Sequence, residues 1–306
     1  MPLSITACSR LAFILSLLLL LPGAISLTTQ AQVVEKKEAS TKPATGAHRP
    51  LPKPTGGTRG FERYAGRTAS ARLIVAAGTR GEPAEARKYR EEGEAFYKAR
   101  RYNEAIEAFN HSLQLNPAQP VVHFNLGVLY GDLQRYKEAI KAYREAVRLK
   151  SDYPLAYFNM GNAYSDAGEY GKAIEAFREA SGLDAIAPAA HYNSGVAYVE
   201  LGQQEEALKS FKEAVRLQPE HAAAYYNLGI AYGSGGQHRE AVEAFTEALR
   251  LREKSEDERF TLGEARFNLI LALLNLDMKN EATAQYRILK SLNPELANEL
   301  SSLIEK

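Results

Sequence analysis

Cysteine is almost missing from this chain of 306 residues: Cys8 is the single one, beside three methionines and no tryptophan. One thiol excludes a disulfide framework and a multi-cysteine zinc site, so stability has to come from packing. Catalytic signatures are missing too. There is no GxxxxGK phosphate loop, no HExxH and no paired His/Cys spacing for a metal. These absences exclude the common nucleotide-binding and metal-hydrolase readings, and a non-enzymatic chain with no cofactor and no metal is expected. Net charge is small as well, at +1. That balance conceals an asymmetry, because residues 28–85 hold ten Lys/Arg against five Asp/Glu and residues 86–306 hold 27 against 32. A basic arm therefore precedes a mildly acidic body, and no nucleic-acid partner is expected for the body.

Long apolar runs are scarce. The one present, Leu11–Leu21, follows Arg10 and leads into Pro22, Gly23 and small residues. It is short for a membrane span and normal for a secretory signal, with Ala24 and Ser26 placed for cleavage after Ser26 and Ala31 as a second candidate. Residues 1–26 are thus expected to be a signal peptide and the mature chain to be exported, periplasmic or secreted. An uncleaved anchor through residues 11–27 is the alternative. Cys8 precedes the run, whereas a lipid-bearing cysteine would follow it, and cleavage would leave no cysteine.

Residues 27–85 are rich in Pro, Gly, Thr, Ala and Arg and carry no sustained period, which predicts a disordered basic linker. As a flexible coil it spans roughly 40 Å. Its stretch RLIVAAG at 72–78 reads as a transient cluster, with a short strand or docking segment as the alternative. The basic, partly apolar segment Phe61–Ala77 has the charge and reach to lie on the chain's own body and compete with a partner.

From Ala86 a strict period appears. Gly93, Gly127, Gly161, Gly195 and Gly229 are each 34 residues apart, and with units numbered from 86, 120, 154, 188 and 222 they occupy position 8. Position 11 is aromatic throughout, from Phe96 to Tyr232. Position 20 is Ala105, Ala139, Ala173, Ala207 and Ala241, and position 24 is Phe109, Tyr143, Phe177, Phe211 and Phe245. Apolar and small residues recur at three- and four-residue spacing in two blocks per unit, such as Ala139, Ile140, Tyr143, Ala146 and Val147, so each block is a helix. Gly168, Gly202 and Gly236 fit the left-handed residue just past a helix end, and Pro120, Pro154 and Pro188 fit first-turn positions. Each unit is a helical hairpin. Close helix approach accounts for the small residues, and the rings fill the space between hairpins.

These columns resemble the tetratricopeptide repeat. The resemblance covers units 86–119, 120–153, 154–187, 188–221, 222–255 and, after an insertion around Glu256–Leu262, 263–296, where Phe267, Asn268, Leu269, Ala282, Tyr286 and Pro294 fit. Ile270 and Leu273 replace the glycine and tyrosine there, marking a less regular terminal unit. The resemblance implies an all-α, right-handed superhelical solenoid whose first helices line a concave surface. Residues 294–306 place Leu296, Leu300, Leu303 and Ile304 on one face of a capping helix.

Asn125, Asn159, Asn193, Asn227 and Asn268 share position 6. In some relatives such a ladder holds an extended peptide by its backbone, a task an amide suits because it both donates and accepts. Inter-repeat hydrogen bonding is the alternative use. Position 5 reads Arg90, Phe124, Phe158, Tyr192, Tyr226 and Phe267, an aromatic row expected to face the groove beside the amides. Only Arg90 suits the carboxylate clamps of other relatives. His123 and His191 at position 4 read as packing residues two repeats apart, and Glu104, Glu107, Glu205 and Glu206 as dipole-favoured residues at helix starts. The expected function is a scaffold binding an extended peptide or protein segment in the groove; the alternative is a structural or self-assembling component of the cell envelope.

Overall fold

The computed structural model describes residues 82–183, 186–252 and 261–304, and those residues are helical with no strand. The segment expected to be a signal, most of the segment expected to be a linker and most of the insertion lie outside the described residues. The helices run α1 Ala84–Lys98, α2 Tyr102–Leu115, α3 Pro120–Asp132, α4 Tyr136–Leu149, α5 Pro154–Asp166, α6 Tyr170–Gly182, α7 Ala187–Glu200, α8 Gln204–Leu217, α9 Ala222–Ser234, α10 His238–Arg252, α11 Leu262–Asn275 and α12 Lys279–Leu292. Two short helices, α13 Pro294–Asn298 and α14 Ser301–Ile304, close the chain. α1 starts two residues inside the segment expected to be linker.

Local chemistry explains the hairpins. Pro120 and Pro154 stand in the first turns of α3 and α5, and Pro188 in that of α7, where a missing N–H costs no intrahelical bond. Position 15 is left-handed in all six units: Gly168, Gly202 and Gly236 with φ of 76°, 72° and 74°, and Arg100, Gln134 and Asp277 with φ of 59°, 58° and 58°. The reversal between helices is thus a property of the register and not of glycine. α11 follows the insertion and begins with its own capping box. Thr261 Oγ1 accepts from the Glu264 amide at 3.0 Å while Glu264 Oε2 accepts from the Thr261 amide at 2.9 Å.

Each first helix packs on its own second helix and on the second helix of the unit before, so the hairpins stack into a solenoid. The alanines of position 20 are fully buried, as are Phe109, Phe177, Phe211 and Phe245 of position 24. Those rings explain the glycine column. A Cβ on Gly161 would stand 2.6 Å from Phe177 Cδ1, and one on Gly229 would stand 2.7 Å from Phe245 Cδ1. Glycine is therefore required by a ring of the same unit and not by an approaching backbone. At the far end Leu296 and Leu300 are buried and Leu303 and Ile304 half-buried, but the expected single capping helix is two, broken at Glu299–Leu300.

Candidate functional site

Helical periodicity assigns the faces of each first helix. In the four middle units position 8 meets the unit's own ring, and positions 3 and 10 are buried alanine or aliphatic residues, such as Ala156 and Ala163 in α5. The remaining stripe, positions 2, 6, 9 and 13, lies on one side at spacings of four, three and four. In α5 it is Leu155, Asn159, Asn162 and Asp166; in α7 it is Ala189, Asn193, Val196 and Glu200. Neighbouring first helices meet along this stripe, α3 with α5 and α5 with α7, and Asn159, Asn193 and Val196 are buried there, whereas Asp132 and Asp166 at its end are exposed. The stripe is the candidate wall for a partner.

The expected aromatic row is not on that wall. Phe124, Phe158 and Tyr192 are each 1% exposed and Tyr226 is 8% exposed, while Phe267 is half-buried against the same core. Four of these rings tilt against the ring of position 24 in their own hairpins, with centroids 5.7 Å apart for Phe124–Tyr143 and Phe158–Phe177, 5.8 Å for Tyr192–Phe211 and 6.0 Å for Tyr226–Phe245. Position 5 is one residue, about 100° of helix, away from position 6, which turns it into the hairpin. The rings are core.

Arg90, the position-5 exception, is buried as well. Its Nη1 donates to Glu94 Oε1 at 2.9 Å and its Nε to Glu82 Oε1 at 3.2 Å, so the guanidinium serves this acidic pair and not a ligand carboxylate. Burial pushes the Glu94 carboxyl above its ordinary value against the opposing pull of Arg90.

The asparagines divide by what faces them. Asn193 Nδ2 donates to Asn162 Oδ1 at 2.8 Å, Asn227 Nδ2 to the Tyr192 hydroxyl at 2.9 Å, and Asn268 Nδ2 to the Tyr226 hydroxyl at 3.2 Å. All three bonds reach back to the preceding unit. Asn159 has no such acceptor, because the preceding unit offers Phe124 at position 5 and Val128 at position 9. Its Nδ2 is buried without a partner in a side chain 6% exposed, and Asn227 Oδ1 is buried without one too. Asn125 is fully buried.

A further column went unnoticed in the sequence although its register was visible there. Asp132, Asp166 and Glu200 share position 13, 34 residues apart, in the last turns of α3, α5 and α7. Asp132 and Asp166 are exposed and Glu200 half-exposed. Asp132 Oδ2 accepts from the Tyr97 hydroxyl at 2.6 Å, and burial, followed by that bond, raises the Tyr97 hydroxyl well above its usual range. The histidines stay apart from this strip. His123 Nε2 lies 3.1 Å from the Pro117 carbonyl, and burial lowers His123 and His191 below the ordinary imidazole value, which favours neutral packing residues. No cluster of three or more His, Cys, Asp or Glu fit for a metal occurs among the described residues, and none of their helices is long and apolar enough to cross a membrane.

Solved structures with this architecture include MamA, 28% identical with a TM-score of 0.51 over 53% of this chain and 95% of MamA. YrrB, described as a TPR protein with an unusual peptide-binding site, is 21% identical with a TM-score of 0.55 over 64% of this chain and 98% of its own. PilF of Pseudomonas aeruginosa is 17% identical with a TM-score of 0.57 over 74% of this chain and all of its own, a likeness of fold. The comparison with curated proteins gives no match. A family model described as the cilia and flagella-associated protein 70 C-terminal domain matches residues 36–299, and the chain belongs to that tetratricopeptide-repeat family.

Proposed function

We propose that the inner stripe of the first helices receives an extended segment of a protein partner, making the chain a non-catalytic interaction scaffold. One observation carries the reading. The stripe holds a buried amide donor, Asn159 Nδ2, and a buried amide acceptor, Asn227 Oδ1, neither atom with a hydrogen-bond partner. An unpaired buried polar group is a standing cost, and a peptide unit supplies both the missing acceptor and the missing donor. MamA and YrrB share the fold, and a peptide site is described for YrrB. Export through residues 1–26 belongs to the same reading. N-terminal sequencing tests it, a mature start at Leu27 or Gln32 supporting cleavage and a retained Met1 supporting an anchor.

The test uses a peptide selected on the full chain from a display library of random short peptides, with its affinity measured by calorimetry. Asn159→Ala is expected to weaken binding about fivefold, the worth of one neutral hydrogen bond. The same substitution removes an unsatisfied donor, so the melting temperature should hold or rise. Equal affinity for wild type and variant overturns the reading; a fall in melting temperature assigns Asn159 to the fold.

The alternative, a self-assembling structural component, draws on the exposed leucines Leu115, Leu183, Leu217 and Leu292, which share position 30 at the ends of second helices. Sedimentation across a concentration range decides it. A monomer at high concentration rejects this second reading.

A further inference from the structure

The first unit meets the incoming chain at one edge of the array. Ser112 Oγ of α2 donates to the Ala86 carbonyl at 2.7 Å, which puts the end of α2 beside the start of α1. Just upstream, Glu82 Oε1 accepts from Arg90 Nε at 3.2 Å and Glu82 Oε2 lies 3.5 Å from Arg87 Nε, so the chain is fixed at residue 82. Leu115, one turn beyond Ser112, is 43% exposed at this edge. His111, four residues before Leu115, shares its face of α2, and the His111 ring lies 5.2 Å from that of half-buried Tyr89 in α1. In α4, α8 and α10 an ion pair stands at the corresponding positions 26 and 29, formed by Glu145–Arg148, Glu213–Arg216 and Glu247–Arg250. In α2 those positions are His111 and Gln114. The edge of the first unit is therefore an uncharged patch.

The chain brings a matching segment to that place. Leu73, Ile74 and Val75 are the only three consecutive large aliphatic residues between residues 27 and 81. They stand seven to nine residues before Glu82, a stretch that reaches about 30 Å when extended, and Gly78 and Gly81 lie between for a turn back. Charge decides among the faces within reach. The stripe positions of α1 are Arg87, Glu91, Glu94 and Lys98, and its open face, where a preceding unit would pack, carries the Lys88–Glu92 pair at 3.8 Å. Neither suits aliphatic side chains, whereas the patch around Leu115 does.

We infer that the edge formed by Tyr89, His111 and Leu115 is the seat of the chain's own segment 72–78, with Leu73, Ile74 and Val75 covering Leu115. Contact removes apolar surface from water on both sides, and the tether holds the segment at an effective concentration high enough for a small patch to suffice. The amide stripe takes no part, so the seat stands or falls separately from the proposed partner site.

Amide exchange of residues 73–77 in the full chain reports the contact. It is expected to be about tenfold slower than in a synthetic peptide of residues 66–81. Leu115→Gln and Ile74→Gln should each return it to the peptide's rate, with the melting temperature of the exposed-site variant Leu115→Gln nearly unchanged. Leu292→Gln, in the same column but five units on and out of reach, should leave it slow. Exchange at the peptide's rate in the wild type, or slow exchange that survives Leu115→Gln, overturns the inference. So does slowing that grows with protein concentration, which would seat a second copy there. Cross-linking gives an independent reading in a Cys8→Ser chain. Ile74→Cys paired with Leu115→Cys is expected to form an intrachain disulfide about tenfold faster than Ile74→Cys paired with Glu92→Cys on the open face, because only a seated segment prefers one site over another within its tether. Equal rates for the two pairs, or a disulfide only between chains, would contradict the seat.

Discussion

Asn159 differs from its counterparts in one respect, the residues of the preceding unit that face it. Tyr192 and Tyr226 present hydroxyls to Asn227 and Asn268, whereas Phe124 presents none to Asn159. Phe124→Tyr is therefore expected to complete the missing bond and raise stability by about 1 kcal/mol, read as an upward shift in urea midpoint. A fall would show that the buried ring pair with Tyr143 has no room for an oxygen. The converse, Asn227→Ala, removes the donor to Tyr192 and should cost about the same. At this scale the sequence was legible only in part. The amide column was plain, but whether an amide bonds within the array or is left over depends on residues 31 to 42 positions away, as Asn193–Asn162 and Asn268–Tyr226 show. The rings were misplaced for a similar reason. Alternating apolar spacing marks position 5 as apolar without telling the core from the groove, and the pairing of Tyr192 with Phe211 settles it only in three dimensions.

Helices and turns follow local rules closely enough to be read in advance. Proline openings, position-15 reversals and the 34-residue period all appear where their chemistry demands them. What stayed hidden was that the left-handed turn persists without glycine. Gln134 and Arg100 adopt φ of 58° and 59°, a conformation costing a non-glycine residue roughly 1–2 kcal/mol. Glycine gives back part of that in unfolded-chain entropy, so Gln134→Gly should gain up to about 1 kcal/mol, and Gly168→Gln should lose a similar amount. Thermal melts of the two variants test the pair, and shifts of one sign in both would contradict it. Two features went unread in the sequence, the Thr261–Glu264 capping box of α11 and the break between α13 and α14, where Leu300 is buried.

On the scale of the whole molecule, stacked hairpins place their rings, alanines and glycines in the core, and the proposed wall is the stripe of first-helix positions 2, 6, 9 and 13. That wall carries amides, short apolar residues and a line of carboxylates at the ends of α3, α5 and α7. The account centres on that wall as the receiving surface. Amide hydrogen exchange of the full chain, with and without a saturating amount of the display-selected peptide, tests this most directly. Slowed exchange concentrated in α3, α5 and α7 is the predicted result, whereas protection confined to the second helices, or none in the first helices, would contradict it.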